Sequence, residues 1–159
     1  MKTTTERCTE FDDLTPGDFL EQYWQKRPLL IRGAVPDITS PLPAAALFAL
    51  AGESDTISRL ITAPHDGASW TCRRGPFDAP DFEALPDHGW TLLIQEADRK
   101  VDACAALLDR FRIVPNWRVD DVMVSYATDG GGVGPHIDRY DVFLTVSYTH
   151  LTLPTILRV

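Results

Sequence analysis

His136 and Asp138 stand two residues apart, directly after the glycine run Gly130-Gly131-Gly132-Val133-Gly134-Pro135. In an extended strand, residues i and i+2 point to the same face. An imidazole nitrogen and a carboxylate oxygen can therefore be presented to one point in space. One further histidine would complete the two-histidine, one-carboxylate triad that holds non-haem Fe(II) and leaves positions open for O2 and a co-substrate. An HxD pair alone is a weak signal, because a surface histidine followed by a turn aspartate gives the same spelling. Its surroundings strengthen it: a strand-like segment at 121–127, four glycines within five positions, the HxD, and another extended segment. Closing a chain around a metal needs backbone freedom beside a tight site, and glycine supplies it.

Other chemistries fit less well. The glycine run lacks the Lys-Ser/Thr pair of a phosphate loop and does not spell GxGxxG. Pro135 removes an amide there, and no helix start follows to receive an anion. His65 and His88 lie in turn-like contexts, Pro64-His65-Asp66-Gly67 and Asp87-His88-Gly89, and read as solvated turn residues. Trp24, Trp70, Trp90 and Trp117 read as core or packing residues rather than a binding cage. No GxSxG and no Cys-His arrangement points to nucleophilic catalysis.

The elements that must position the HxD are legible in outline. Thr15-Pro16-Gly17-Asp18 is a helix start, with Thr15 as cap and an acid in the first turn. Phe19, Leu20, Tyr23 and Trp24 share a face of that helix, which Pro28 ends. Residues 29–31 read as a short buried strand. Residues 40–50 read as a second helix stopped by Gly52. Strands are expected at 57–63 and 69–73 around a turn at His65-Asp66-Gly67, and at 90–94. Chain breaks fall at Gly75-Pro76 and Ala79-Pro80. Residues 101–111 form an amphipathic helix with Val101, Cys104, Ala105, Leu108 and Phe111 on one stripe. Strands follow at 121–127, 136–138 and 140–144. Short helices first and β-structure later make an α+β pattern.

The chain has 159 residues, of which 44% are hydrophobic and 24% charged, in the range of one ordinary globular domain. No apolar run approaches the roughly 20 residues that span a bilayer. The first residues lack the apolar stretch of a signal peptide, so a cytoplasmic location is expected. The three scattered cysteines, Cys8, Cys72 and Cys104, suit neither a zinc knuckle nor a disulfide framework. A net charge of -8 argues against direct nucleic-acid binding and is compatible with a basic protein partner. Keeping the protein soluble is the plainer use of that charge.

Residues 115–127, Pro-Asn-Trp-Arg-Val-Asp-Asp-Val-Met-Val-Ser-Tyr-Ala, and the glycine run leading through His136-Ile137-Asp138 to Phe143 closely resemble the bacterial JmjC-type ribosomal oxygenases of the cupin superfamily. Residues 23–32 and 95–98 are similar to other parts of that family, and the resemblance covers about 11–144. It implies N-terminal helices followed by a double-stranded β-helix that binds Fe(II) and 2-oxoglutarate. Members use O2 to hydroxylate a side chain of a ribosomal protein, and the bacterial ones resemble an enzyme that hydroxylates an arginine of a large-subunit protein. Carried over by motif, His136 and Asp138 match two iron ligands, and Ser125 matches a position that contacts 2-oxoglutarate. Asp120, Asp121 and Asp141 are candidates for an acidic rim facing a basic substrate.

After Leu144 the resemblance stops. The family continues into a strand whose arginine pairs with 2-oxoglutarate, then a distal histidine, a dimerisation region and a C-terminal domain. The expectation is therefore an N-terminal part of a JmjC/cupin domain at 1–144, truncated to the first half of its β-helix, and a non-native tail at 145–159. That tail reads like translated sequencing-adapter DNA. His150 lies too near Asp138 to be the distal ligand. A chain with only two ligands is expected to be inactive and poorly soluble, since unpaired strand edges invite aggregation. The alternative is a cupin-like metal-binding or interaction module without oxygenase activity.

Overall fold

The computed structural model describes residues 14–27, 29–31, 38–64 and 69–136, together with the backbone of 156–157. The chain divides into two compact units. One comprises Pro41–Arg112 and Val119–Ile137; the other draws on Met1–Ser40, Ile113–Arg118 and Asp138–Val159.

In the second of these, helix α1 spans Pro16–Gln22. The Thr15 hydroxyl accepts from the Asp18 amide at 3.1 Å, and the Thr15 amide donates to the Asp18 carboxylate at 3.2 Å. This reciprocal capping box satisfies two amides that the first helical turn leaves open. The hydrogen bonds from Thr15 also hold the Asp18 carboxyl below its usual range. The helix stops at Tyr23, well before Pro28, and Gln25 takes a left-handed backbone (φ 56°). Phe19 alone of the expected stripe is fully buried. Strand β1, Leu29–Leu30, pairs antiparallel with Ile156–Leu157. The proposed boundary at 144 otherwise lies outside the described residues.

The larger unit carries Ser125, the glycine loop and His136. Helix α2 covers Ala44–Ala51, not 40–50. The residues preceding Pro41 and Pro43 are pushed out of helical space, so the helix begins only after the second proline. Its Ala/Leu-rich sequence is intrinsically helical, and Gly52 ends it as expected. Strands β2 (Ser58–Thr62), β3 (Thr71–Arg74), β4 (Trp90–Ile94) and β5 (Val124–Ala127) form an antiparallel sheet in the order β3-β2-β4-β5. Helix α3, Ala79–Glu83, occupies a place read from the sequence as a break. Asp78 and Asp81 form a capping box there, and a proline in the first turn starts a helix rather than ending one. Helix α4 is Asp102–Asp109.

Strand register separates two faces. Leu60, Leu92 and Tyr126 align across the sheet, as do Ser58, Ile94 and Val124. This face packs with α2 into a core of Leu42, Leu47, Ala51, Leu60, Phe77, Trp90, Leu92, Ile94, Ala97 and Cys104. Phe48 of α2 meets Tyr126 and Trp90 edge-on, with ring centroids 5.3 and 6.3 Å apart. The other face aligns Arg59, Leu93 and Ser125, and next to them Ile61, Thr91 and Ala127.

β5 starts three residues later than expected because residues 121 and 122 bond elsewhere. The Glu96 amide donates to Asp121 Oδ2 at 2.6 Å, and the Val122 amide donates to Asp98 Oδ1 at 2.9 Å. The tryptophans divide between core and surface. Trp90 is in the core, but Trp117 is 79% exposed and Trp70 40% exposed. Among the described residues, no helix is long and apolar enough to cross a membrane.

Candidate functional site

The glycine loop begins as an extension of the sheet. Thr128 lies opposite Trp90, one step past the β4–β5 pairing. Its amide donates to the Trp90 carbonyl at 3.0 Å, and its hydroxyl accepts from the Trp90 amide at 3.1 Å. The Gly89 amide donates to the Asp129 carbonyl at 2.8 Å. The loop's entry is thereby stapled to the start of the central strand.

Gly131 then passes so close to β4 that a side chain does not fit. A Cβ there would lie 2.3 Å from the Trp90 carbonyl oxygen, 2.9 Å from that of Thr128 and 3.0 Å from Thr91 Oγ1. Two of those atoms are backbone and cannot swing away. Gly131→Ala is therefore expected to displace the loop, with a stability loss of about 1–3 kcal/mol of the kind seen for overpacking. Thermal melting together with amide exchange of residues 128–136 would check it; an unchanged exchange pattern would contradict it.

His136 is exposed at the end of this loop. Its Nδ1 lies 2.9 Å from the Gly134 carbonyl oxygen. A carbonyl oxygen only accepts, so Nδ1 carries the proton, and in the neutral ring the lone pair is on Nε2. That is the arrangement that a histidine metal ligand adopts when its second nitrogen is anchored by a carbonyl. Gly134 holds its carbonyl there with φ 71°, in the left-handed region that favours glycine. The donor chemistry of His136 thus fits a divalent transition metal. Asp138 lies outside the described residues, as do Asp141, His65 and His150. Among the described residues, no three His, Cys, Asp or Glu side chains are grouped as a metal would need.

Ser125 is on β5, on the sheet face away from α2, and is exposed. Two buried polar atoms share this face without a hydrogen-bond partner among the described residues: Thr91 Oγ1 and Arg59 Nε. Thr91 is only 2% exposed. A buried hydroxyl and guanidinium nitrogen left unmatched cost stability unless something polar meets them. Ser125 is found only through the family resemblance; Thr91 and Arg59 carry no sequence signal, because each reads as an ordinary strand position.

The acidic rim divides. Asp121 is committed to the Glu96 amide. Asp120 is exposed, and partial burial followed by the charges of Asp121, Glu96 and Asp98 pushes its carboxyl above the usual range. His88 lies in an exposed turn, as read. A separate cleft lined by Asp55, Gln95, Glu96, Arg99 and Lys100 has its charges paired: Lys100 with Asp55 at 2.6 Å, Arg99 with Glu96 at 2.7 Å.

Residues 106–148, the stretch that contains β5, the glycine loop and the HxD, match the JmjC domain family. Over the part it spans, the chain is similar to proteins described as ribosomal oxygenases. It is 41% identical over 127 residues to the ribosomal protein uL16 3-hydroxylase of Escherichia coli, covering 80% of this chain and 33% of that protein. It is 38% identical over 139 residues to a probable ribosomal oxygenase of Haemophilus influenzae, covering 87% and 34%. Among solved structures, it is similar to YcfD, a ribosomal oxygenase from Escherichia coli, with a TM-score of 0.74 and 40% identity over 83% of this chain and 36% of that one. A structure of YcfD with cobalt and 2-oxoglutarate matches at a TM-score of 0.75 and 34% identity, over 92% of this chain and 44% of that one. The chain spans about a third of the length of the curated relatives it matches. The helices and four-stranded antiparallel sheet correspond to the expected incomplete cupin/JmjC fold.

Proposed function

We propose that this chain is part of an Fe(II)- and 2-oxoglutarate-dependent oxygenase that hydroxylates an arginine side chain of a large-subunit ribosomal protein. The observation that carries the reading is the anchored His136 imidazole, at the head of an HxD inside the JmjC match. The relatives support it, one by acting on ribosomal protein uL16 and one by its complex with cobalt and 2-oxoglutarate.

In this reading His136 Nε2 and the Asp138 carboxylate are two of the three protein ligands. The Gly134 carbonyl fixes the tautomer of the first. Ser125 contributes a hydroxyl to 2-oxoglutarate, on the face where Thr91 Oγ1 and Arg59 Nε are unmatched. The metal held by these ligands would supply the oxidative chemistry in which O2 gives one oxygen atom to the succinate formed from 2-oxoglutarate with loss of CO2, and the other to the hydroxyl formed at a substrate C–H bond. An acidic rim, for which Asp120 and Asp141 are the candidates, would suit a basic ribosomal protein. This reading names only two of the three protein ligands, His136 and Asp138, and with those two alone the 159-residue chain is expected to turn over no 2-oxoglutarate.

The test is an assay of 2-oxoglutarate turnover with a candidate large-subunit ribosomal protein, read by mass spectrometry for one added oxygen. It compares this chain with one extended to the length of its relatives. Oxygen insertion on an arginine by the longer chain, lost with Asp138→Ala, is the expected result. Metal binding with no turnover in the longer chain would sink the oxygenase reading and favour a metal-binding module.

A further inference from the structure

Trp70 precedes β3 and is far from the glycine loop in sequence, yet its indole forms the surface on which that loop lies. A Cβ on Gly134 would sit 3.3 Å from Trp70 Cδ2 and Cε2 and 3.4 Å from Cγ; one on Gly132 would sit 3.4 Å from Cη2. The two glycines therefore rest on the ring fusion and on the benzo edge of one indole. At Gly134, where the backbone is left-handed, an added Cβ would press on the ring; at Gly132 it would reach ordinary van der Waals contact. The indole is not there for the core: Trp70 is 40% exposed and stands apart from the main hydrophobic cluster.

The loop needs such a support. Its last backbone bond to the sheet side is the Gly131 amide donating to the Thr128 carbonyl at 2.8 Å. Among the described residues, Gly132, Val133 and Gly134 make no backbone–backbone hydrogen bond. A run of glycines has the largest conformational entropy to lose, so without a support it would sample many shapes. Gly134 is also the residue whose carbonyl holds His136 Nδ1 at 2.9 Å. Contact at one side of this residue thus sets the imidazole at the other.

We propose that Trp70 is the positioning residue of the metal-binding loop: its indole presets the Gly134 carbonyl, and through it the His136 ring, before any metal arrives. The inference rests on the metal-site reading for its consequence, but not for its geometry. Preset ligands bind more tightly because the ordering cost is met in advance.

The test uses the purified chain with Trp70→Ala, Trp70→Phe and Gly134→Ala. Backbone order at Gly132, Val133, Gly134 and His136 is measured by amide 15N relaxation without metal, with the β2 and β4 amides as an internal control. Co(II) is then titrated and followed by its visible absorption. With Trp70→Ala, order parameters in the loop should fall below about 0.6 while those of β2 and β4 stay at about 0.85. Co(II) affinity should fall roughly 10–100-fold, the range for losing an outer partner of a metal ligand. Trp70→Phe should restore most of both. Gly134→Ala, which lifts the loop from the opposite side, should reproduce the alanine effect with Trp70 intact. Unchanged loop order in Trp70→Ala, or a fall shared equally by β2 and β4, would overturn the proposal. If the unaltered chain binds Co(II) no better than His136→Ala, the metal reading fails, and the relaxation data still decide whether Trp70 holds the loop.

Discussion

Replacing His136 with alanine is expected to weaken Co(II) binding by more than the roughly 10–100-fold that loss of an outer-shell partner costs. The imidazole is a direct donor in this reading, and its Nε2 lone pair is defined by the Nδ1 contact with Gly134. Among the described residues, no three His, Cys, Asp or Glu side chains group to offer an alternative site. Asp138→Ala should have an effect of the same order. His88→Ala is the control: His88 is an exposed turn histidine and its loss should leave the titration unchanged. Calorimetric titration of Co(II) into the three variants makes the comparison. Equal affinities for His136→Ala and the unaltered chain would mean that the HxD is not the metal site.

The largest effect on stability is expected at Leu92. It is fully buried in β4, the strand hydrogen-bonded on both sides, and stands between Leu60 and Tyr126 on the face that packs with α2. Leu92→Ala removes three side-chain carbons from a close-packed site whose neighbours are held by backbone ladders, so the cavity cannot close fully. The expected loss is about 2–5 kcal/mol. At roughly 2–4 °C per kcal/mol for a chain of this size, the melting temperature should fall by about 10 °C. Ile57→Ala, at a residue 49% exposed, is the matched control and should change stability by no more than about 0.5 kcal/mol. Denaturant unfolding of both variants would check this; a Leu92→Ala loss below about 1 kcal/mol would mean that this face is not the unit's core.

Both predictions concern residues whose importance was visible to different degrees along the chain. The HxD and its glycine run stood out because metal ligation imposes spacing within a few residues. The α1 cap stood out because a capping box is also local, spanning only Thr15 to Asp18. β4 was legible as an apolar run between turn residues. Local signals misled where two of them conflicted. Ala79-Pro80 read as a break, although the Asp78–Asp81 box makes it a helix start. Residues 121–123 read as strand, although Asp121 and Val122 bond to the turn at 96–98.

The sequence by itself therefore determined the candidate ligands His136 and Asp138, the class of chemistry they suit, and the mixed α+β character of the chain. Those properties depend on side-chain type and on spacings of two to four residues. Only the tertiary structure decided which face of the sheet Ser125 shares with Thr91 and Arg59, that Thr128 staples the loop to Trp90, and that the loop lies on Trp70. These depend on strand order and register, which bring together residues distant in the chain. No local pattern records that an exposed tryptophan before one strand supports the backbone of a loop after another.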